Sequence, residues 1–282
     1  MKTVILTLVT LAVAAALTGA AVILGGLYDI SATDQHLAPT YKVLDTALRR
    51  AVKRRADELE VPPLDGAGTI ERGLSLYHEH CVQCHGAPGV APQPFALGLT
   101  PLAANLAYTA REWGAAELFW VVKNGIKMTA MPAWEFRLSD AEMWAVVAFM
   151  EKLPELSPMD YRAALARLRP AAAPSQAQTG AAEAEVAPGT ASVARGRQAM
   201  LQYACVTCHR IPGVVGPNAP VGPPLEGIGT RAFIAGVLPN EPHHMVRWLR
   251  SPQAVNPLSA MPDLGVGERD ARDMAAFLAT LR

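Results

Sequence analysis

The chain has 282 residues, a length that suits about two domains, and its 25 basic and 25 acidic side chains leave no net formal charge. That balance excludes a nucleic-acid binder built on a broad basic face, and leaves partner choice to local patches. The first element is an apolar run from Val4 to about Leu27, preceded only by Met1-Lys2-Thr3. As a helix of roughly 24 residues it is about 36 Å long at 1.5 Å per residue, enough for a hydrocarbon core of about 30 Å. The apolar part of a signal peptide is shorter, about 7–15 residues, and no convincing A-x-A site ends this run. Residues 1–27 are therefore expected to be an uncleaved, single-pass transmembrane anchor in the cell membrane, with a cleaved signal peptide as the alternative. Lys2 assigns the N-terminus to the cytoplasm and the rest of the chain to the periplasm.

Residues 28–65 form a juxtamembrane segment. Within it Tyr41, Leu44, Leu48 and Val52 recur at helical spacing and predict a helix over Tyr41 to Leu59, stopped by Val61-Pro62-Pro63. Its basic residues, Arg49 to Arg55 among them, suit lipid headgroups or a membrane partner. Asp45, Asp57, Glu58 and Glu60 offset that charge, which favours a helix packed on the domain that follows.

The next domain spans 66–156. A helix is expected from about Thr69 to Cys81 and another over Arg111 to Lys123, closed by Asn124-Gly125. A last helix starts at the capping box Ser139-Asp140-Ala141-Glu142. Residues 157–193 read as an Ala/Pro-rich linker, most plainly from Pro170 to Ser192. A second domain, 194–282, repeats the order. Gly196 and Tyr203 precede its cysteines, and helices are expected over Glu241 to Arg250 and Glu268 to Leu281. The repetition is a duplication of architecture at low identity.

All four cysteines fall in Cys81-Val82-Gln83-Cys84-His85 and Cys205-Val206-Thr207-Cys208-His209, and none is left for a disulfide or a separate metal site. C-x-x-C-H is the signature of c-type haem attachment. The two thiols project from one helical turn within reach of the haem vinyl groups, and the histidine becomes an iron ligand. Cys81, Cys84, Cys205 and Cys208 are thus the expected attachment points of two covalent haems c, with His85 and His209 on the irons. Haem attachment of this kind takes place in the periplasm, in agreement with the orientation read from Lys2.

The sixth iron position separates a carrier from an enzyme. Each domain has one Met-Pro dipeptide before its last helix, Met131-Pro132 and Met261-Pro262. Proline biases the preceding residue to extended backbone, which suits a loop that presses a thioether onto iron. Met131 and Met261 are the candidate sixth ligands, with Met128 and Met245 as rivals. For the Nδ1–H of the first-ligand histidines, Gly222-Pro223-Pro224-Leu225 is the candidate partner loop in the second domain, with a weaker counterpart around Pro92 to Pro94 in the first. Arg231 and Trp248 are candidates for haem propionate contacts. His36, His78, His80, His243 and His244 are expected to be solvated rather than ligands.

With these motifs in place, the chain resembles the class I c-type cytochromes twice over. The first match rests on Gly73, Tyr77, Cys81, Cys84, His85, Met131-Pro132 and Trp144. The second rests on Gly196, Tyr203, Cys205, Cys208, His209, Gly222-Pro223-Pro224-Leu225, Met261-Pro262 and Phe277. The resemblance implies an all-α fold, two class I cytochrome c domains each wrapped around a haem, and electron transfer without substrate chemistry. One anchor and two haem domains are similar in outline to the dihaem subunit of cbb3-type oxidases. The implied partners are the membrane and redox proteins of a respiratory chain, a terminal oxidase or a soluble cytochrome among them. A dihaem enzyme such as a cytochrome c peroxidase is the alternative, and it needs an open iron. Charge separates the domains. About residues 64–155, six basic and ten acidic side chains leave −4, and about residues 194–282, nine and six leave +3. The contrast suits either two different partners or two domains lying against each other.

Overall fold

The computed structural model describes residues 1–168, 190–217 and 219–282, and most of the stretch read as linker lies outside them. Of the described residues 57% are helix and 2% strand, so the all-α reading holds. It divides into two units, residues 1–34 and residues 35–282.

The first unit holds helix α1 (Lys2–Leu24). Its 23 residues are long and apolar enough to cross a membrane. None of its residues is buried, as expected of a helix whose apolar surface faces lipid.

The second unit begins with α2 (Ala38–Ala56), shifted three residues towards the N-terminus of the predicted helix. Val52 and Ala56 are buried. Arg49 reaches Glu112 at 3.2 Å and stacks over Trp113, and Arg55 stacks over Trp120. The helix therefore packs on the first of two helical bodies, and two of its basic side chains are engaged there.

That body contains α3 (Ala67–His80), α4 (Val82–His85), α5 (Leu106–Glu112), α6 (Ala115–Asn124) and α7 (Asp140–Lys152). The helix expected over 111–123 is two helices. Gly114 caps the second, its N–H donating to the Glu117 carboxylate at 2.9 Å. The Ser139 box forms as read, with the Ser139 hydroxyl accepting from Glu142 N. Helix α8 (Pro158–Leu168) lies inside the span assigned to linker. It has its own box, in which Ser157 N–H donates to Asp160 and Asp160 N–H to the Ser157 hydroxyl. Tyr161, Ala164, Leu165 and Leu168 face the first core at helical spacing.

The second body contains α9 (Val193–Gln202), α10 (Pro242–Arg250), the short α11 (Pro252–Val255) and α12 (Glu268–Thr280). It adds a small antiparallel hairpin, β1 (Phe233–Ile234) with β2 (Leu238–Pro239), with Ile234 opposite Leu238.

Both bodies are closed by one device. Helix α3 crosses α7 at Gly73, where an added Cβ would lie 1.9 Å from the Ala145 carbonyl oxygen. Helix α9 crosses α12 at Gly196, where it would lie 1.9 Å from the Asp273 carbonyl oxygen. No side chain fits at either crossing, so the backbones touch there. The arginine before each glycine ties the same pair of helices. Arg72 binds Glu142 at 2.7 Å, and Arg195 binds Asp273 at 2.7 Å.

Asp273 is buried and also accepts from Ser192 N. Burial alone would raise its pKa, but the Arg195 guanidinium and the Ser192 N–H overcome this and hold it below the usual carboxylate value. Asp273→Asn is expected to destabilise the second body by about 2 kcal/mol at neutral pH, the scale for charged hydrogen bonds with a half-exposed partner. Because the folded pKa is depressed, this contribution is present above about pH 4 and is lost as pH falls through the folded value. Urea midpoints of the two proteins should differ at pH 7, and the difference should shrink as the pH falls below the ordinary carboxylate value.

Candidate functional site

Each cysteine pair follows directly from the helix that makes the glycine crossing, so the crossing places the motif. In the first body α3 ends at His80. Cys84 N and His85 N then donate to Cys81 O at 3.1 and 3.0 Å, which winds the pentapeptide into one turn. In the second body Cys208 N and His209 N donate to Cys205 O at 3.2 and 2.9 Å. The four thiols are free of one another. Burial pushes the thiols of Cys81 and Cys205 up to about 12, and those of Cys84 and Cys208 also upward.

The histidines are held in matching ways. His85 Nδ1 lies 2.7 Å from Ala104 O, and His209 Nδ1 lies 2.7 Å from Pro223 O. A carbonyl only accepts, so the proton is on Nδ1 and the Nε2 lone pair is free for a metal. Burial lowers both pKa values and keeps the rings neutral, although each carbonyl pulls the other way.

The Gly222-Pro223 partner loop is where the sequence placed it. Val221 N and Gly222 N donate to Cys208 O, and Leu225 N donates to Arg210 O. A Cβ on Gly222 would lie 2.4 Å from the His209 ring, so only glycine lets this loop lie flat on the imidazole. In the first body the partner is Ala104 rather than the Pro92–Pro94 region. Pro94–Ala96 forms a separate short turn, and the chain runs on to Ala104 before it returns beneath His85.

Arg231 donates to Pro224 O at 2.6 Å and Glu226 O at 2.9 Å. It braces the partner loop through one nitrogen of its guanidinium. Trp248 packs on the second core.

Both Met-Pro loops are built alike. Met131 N donates to the Thr129 hydroxyl at 3.1 Å, and Met261 N donates to the Ser259 hydroxyl at 3.1 Å. The shared pattern, a hydroxyl residue, Ala, Met and Pro, is visible in the sequence and strengthens the pairing of these two methionines. In the first body the loop is also closed by Ile126 N donating to Met131 O. Met131 is half-buried, whereas Met128 is 98% exposed and points to solvent. Met261 is half-buried against the second core, and Met245 is buried within that core on α10.

Of the other histidines, His78 meets the Tyr161 hydroxyl at 3.3 Å, and His80 lies beside Trp134. His243 and His244 gather with Glu241 at the surface, their donor atoms within 4.8 Å of one another.

The donor set fits a covalent haem in each body: two thiols on one turn, then a neutral imidazole with its Nε2 free. Cys81, Cys84 and His85 would hold one haem, and Cys205, Cys208 and His209 the other. A haem held this way supplies a one-electron ferric/ferrous couple. A helical protein with two such sites is an electron-carrying haem protein of the c type. The chain is a dihaem c-type cytochrome that carries two covalent haems c and has an N-terminal helix fit to be a membrane anchor. Residues 68–150 match the family model described as "Cytochrome C oxidase, cbb3-type, subunit III", and residues 193–282 match "Cytochrome c". No curated protein and no solved structure matches the chain.

Proposed function

We propose that the chain is the membrane-anchored electron-transfer subunit of a terminal oxidase, taking electrons from a redox donor and delivering them onward without substrate chemistry of its own. The observation that carries this reading is the repeated site. In each body a histidine fixed by a carbonyl is accompanied by a methionine on a hydroxyl-braced Met-Pro loop. Met131 and Met261 would close the irons as sixth ligands, and a closed iron exchanges electrons with little rearrangement. The subunit III description over residues 68–150 supports an oxidase as the partner. Helix α1 would span the cell membrane once, with both haem bodies in the periplasm. The partner surface would include the acidic first body, whose charge steers association in a salt-dependent way.

The test is purification from membranes in mild detergent. The chain should copurify with a haem protein that reduces oxygen, while its own two haems stay low-spin and ignore carbon monoxide and peroxide. Peroxide turnover by the isolated chain would favour the dihaem peroxidase instead. Recovery free of any oxidase would remove the subunit role.

A further inference from the structure

The two haem bodies are in contact, and the contact runs through the segment that carries the His85 partner. Ala104 accepts from His85 Nδ1 at 2.7 Å, and the next residue, Asn105, donates from Nδ2 to Cys208 Sγ at 3.1 Å. Adjacent residues of one loop thus hold the iron-ligand histidine of the first site and an attachment sulfur of the second. The orientation of the Asn105 amide is fixed by its other end, because Oδ1 accepts from Tyr108 N and caps α5. That leaves only the N–H to face the sulfur.

The surrounding contacts make this a docked surface. Leu102 packs against the core of the second body. A Cβ on Gly98 would strike the Gln202 side chain at 2.5 Å, so the loop lies close there. Gln253 donates to Gly89 O at 3.1 Å. The net charges of the two bodies, −4 and +3, favour the same association.

We propose that residues 98–105 form a built-in coupling strap, which docks the second haem body on the first and joins the two haem sites through Asn105. The inference rests on the electron-transfer reading and extends it from two carriers on a tether to one fixed pair. Exchange across the strap moves one electron. With both haems bound, the exchange would balance as one ferrous and one ferric iron trading oxidation states, with no proton and no further reactant. Asn105 acts as a positioning residue, because its amide touches the Cys208 sulfur and not an iron.

Two substitutions in the full-length holoprotein test this. Asn105→Asp keeps a good helix cap but replaces the N–H donor with a carboxylate facing the sulfur. It should lower the reduction potential of the second haem, leave that of the first unchanged, and slow photoinduced electron exchange between the two. Leu102→Asp places a charge against the second core and should undock the bodies. The tether alone still gives an effective concentration on the order of millimolar, so exchange should slow by roughly tenfold or more rather than stop. If Asn105→Asp leaves both potentials and the exchange rate unchanged, Asn105 is only a helix cap. An unchanged rate in Leu102→Asp would equally remove the strap. Intact mass distinguishes the two levels of the argument. Two haems on each variant keep the haem assignment in place whatever happens to the strap, and fewer than two haems on the unaltered chain would sink that assignment itself.

Discussion

Replacing Cys205 and Cys208 together by serine should leave a chain with one haem, at the first site. Thioether bonds are the only covalent link that the protein offers to a haem, and all four cysteines are committed to two turns. The two bodies have separate cores, one centred on Tyr77, Val146 and Phe149 and the other on Val206, Met274 and Leu278. Each has its own glycine crossing upstream of its motif. Loss of haem at one motif should therefore not propagate to the other. The converse pair, Cys81 and Cys84 to serine, should spare the second haem. Intact mass reads the outcome directly as a loss of one haem group. Loss of both haems from either variant would show that the bodies mature as one unit.

The second large effect is expected at the methionines. Met131→Ala or Met261→Ala should open one iron, lower its potential and change carbon monoxide binding from none to one equivalent per chain. Thioether ligation favours the ferrous state, so its removal shifts the couple downward. The braced loops make the prediction specific. Thr129 and Ser259 brace the backbone at Met131 and Met261 in the same way. Met128→Ala should be silent, because that side chain is 98% exposed. A spectral change in Met128→Ala with none in Met131→Ala would transfer the assignment.

Much of this site is legible in the sequence because its chemistry is carried by side chains. The C-x-x-C-H pentapeptides and the Met-Pro dipeptides are visible as motifs, and the methionines remain the proposed sixth ligands. The Gly222-Pro223 loop was readable too, since it requires particular residue types. Ala104 was not, because its contribution is a backbone carbonyl and every residue has one. The position of such a partner depends on how the intervening chain folds, here through the turn at Pro94–Ala96. Helix α8 was missed although its signals were present. Ser157 and Asp160 form a capping box, and Tyr161, Leu165 and Leu168 make a stripe. The Ala-rich composition that follows hid the helix by blending into it. The break at Gly114 was obscured because residues on both sides favour helix. The contact between the bodies was legible only as one of two readings of their opposite charges, since an asparagine beside a distant cysteine leaves no local pattern.

The close approach of Gly222 to His209 has a consequence for spectroscopy. An imidazole bound to iron is free in principle to rotate about the bond to the metal, and its azimuth sets which iron d orbital lies highest. Here the ring has backbone against its face at Gly222 and its Nδ1 tied to Pro223. Both constraints come from one stretch of main chain that is itself bonded to Cys208 and Arg210. The ring plane is thus set by the polypeptide before any metal arrives, a form of preorganisation. The ferric second haem should then show one narrow set of magnetic axes rather than a spread, and its electronic symmetry is written into a glycine.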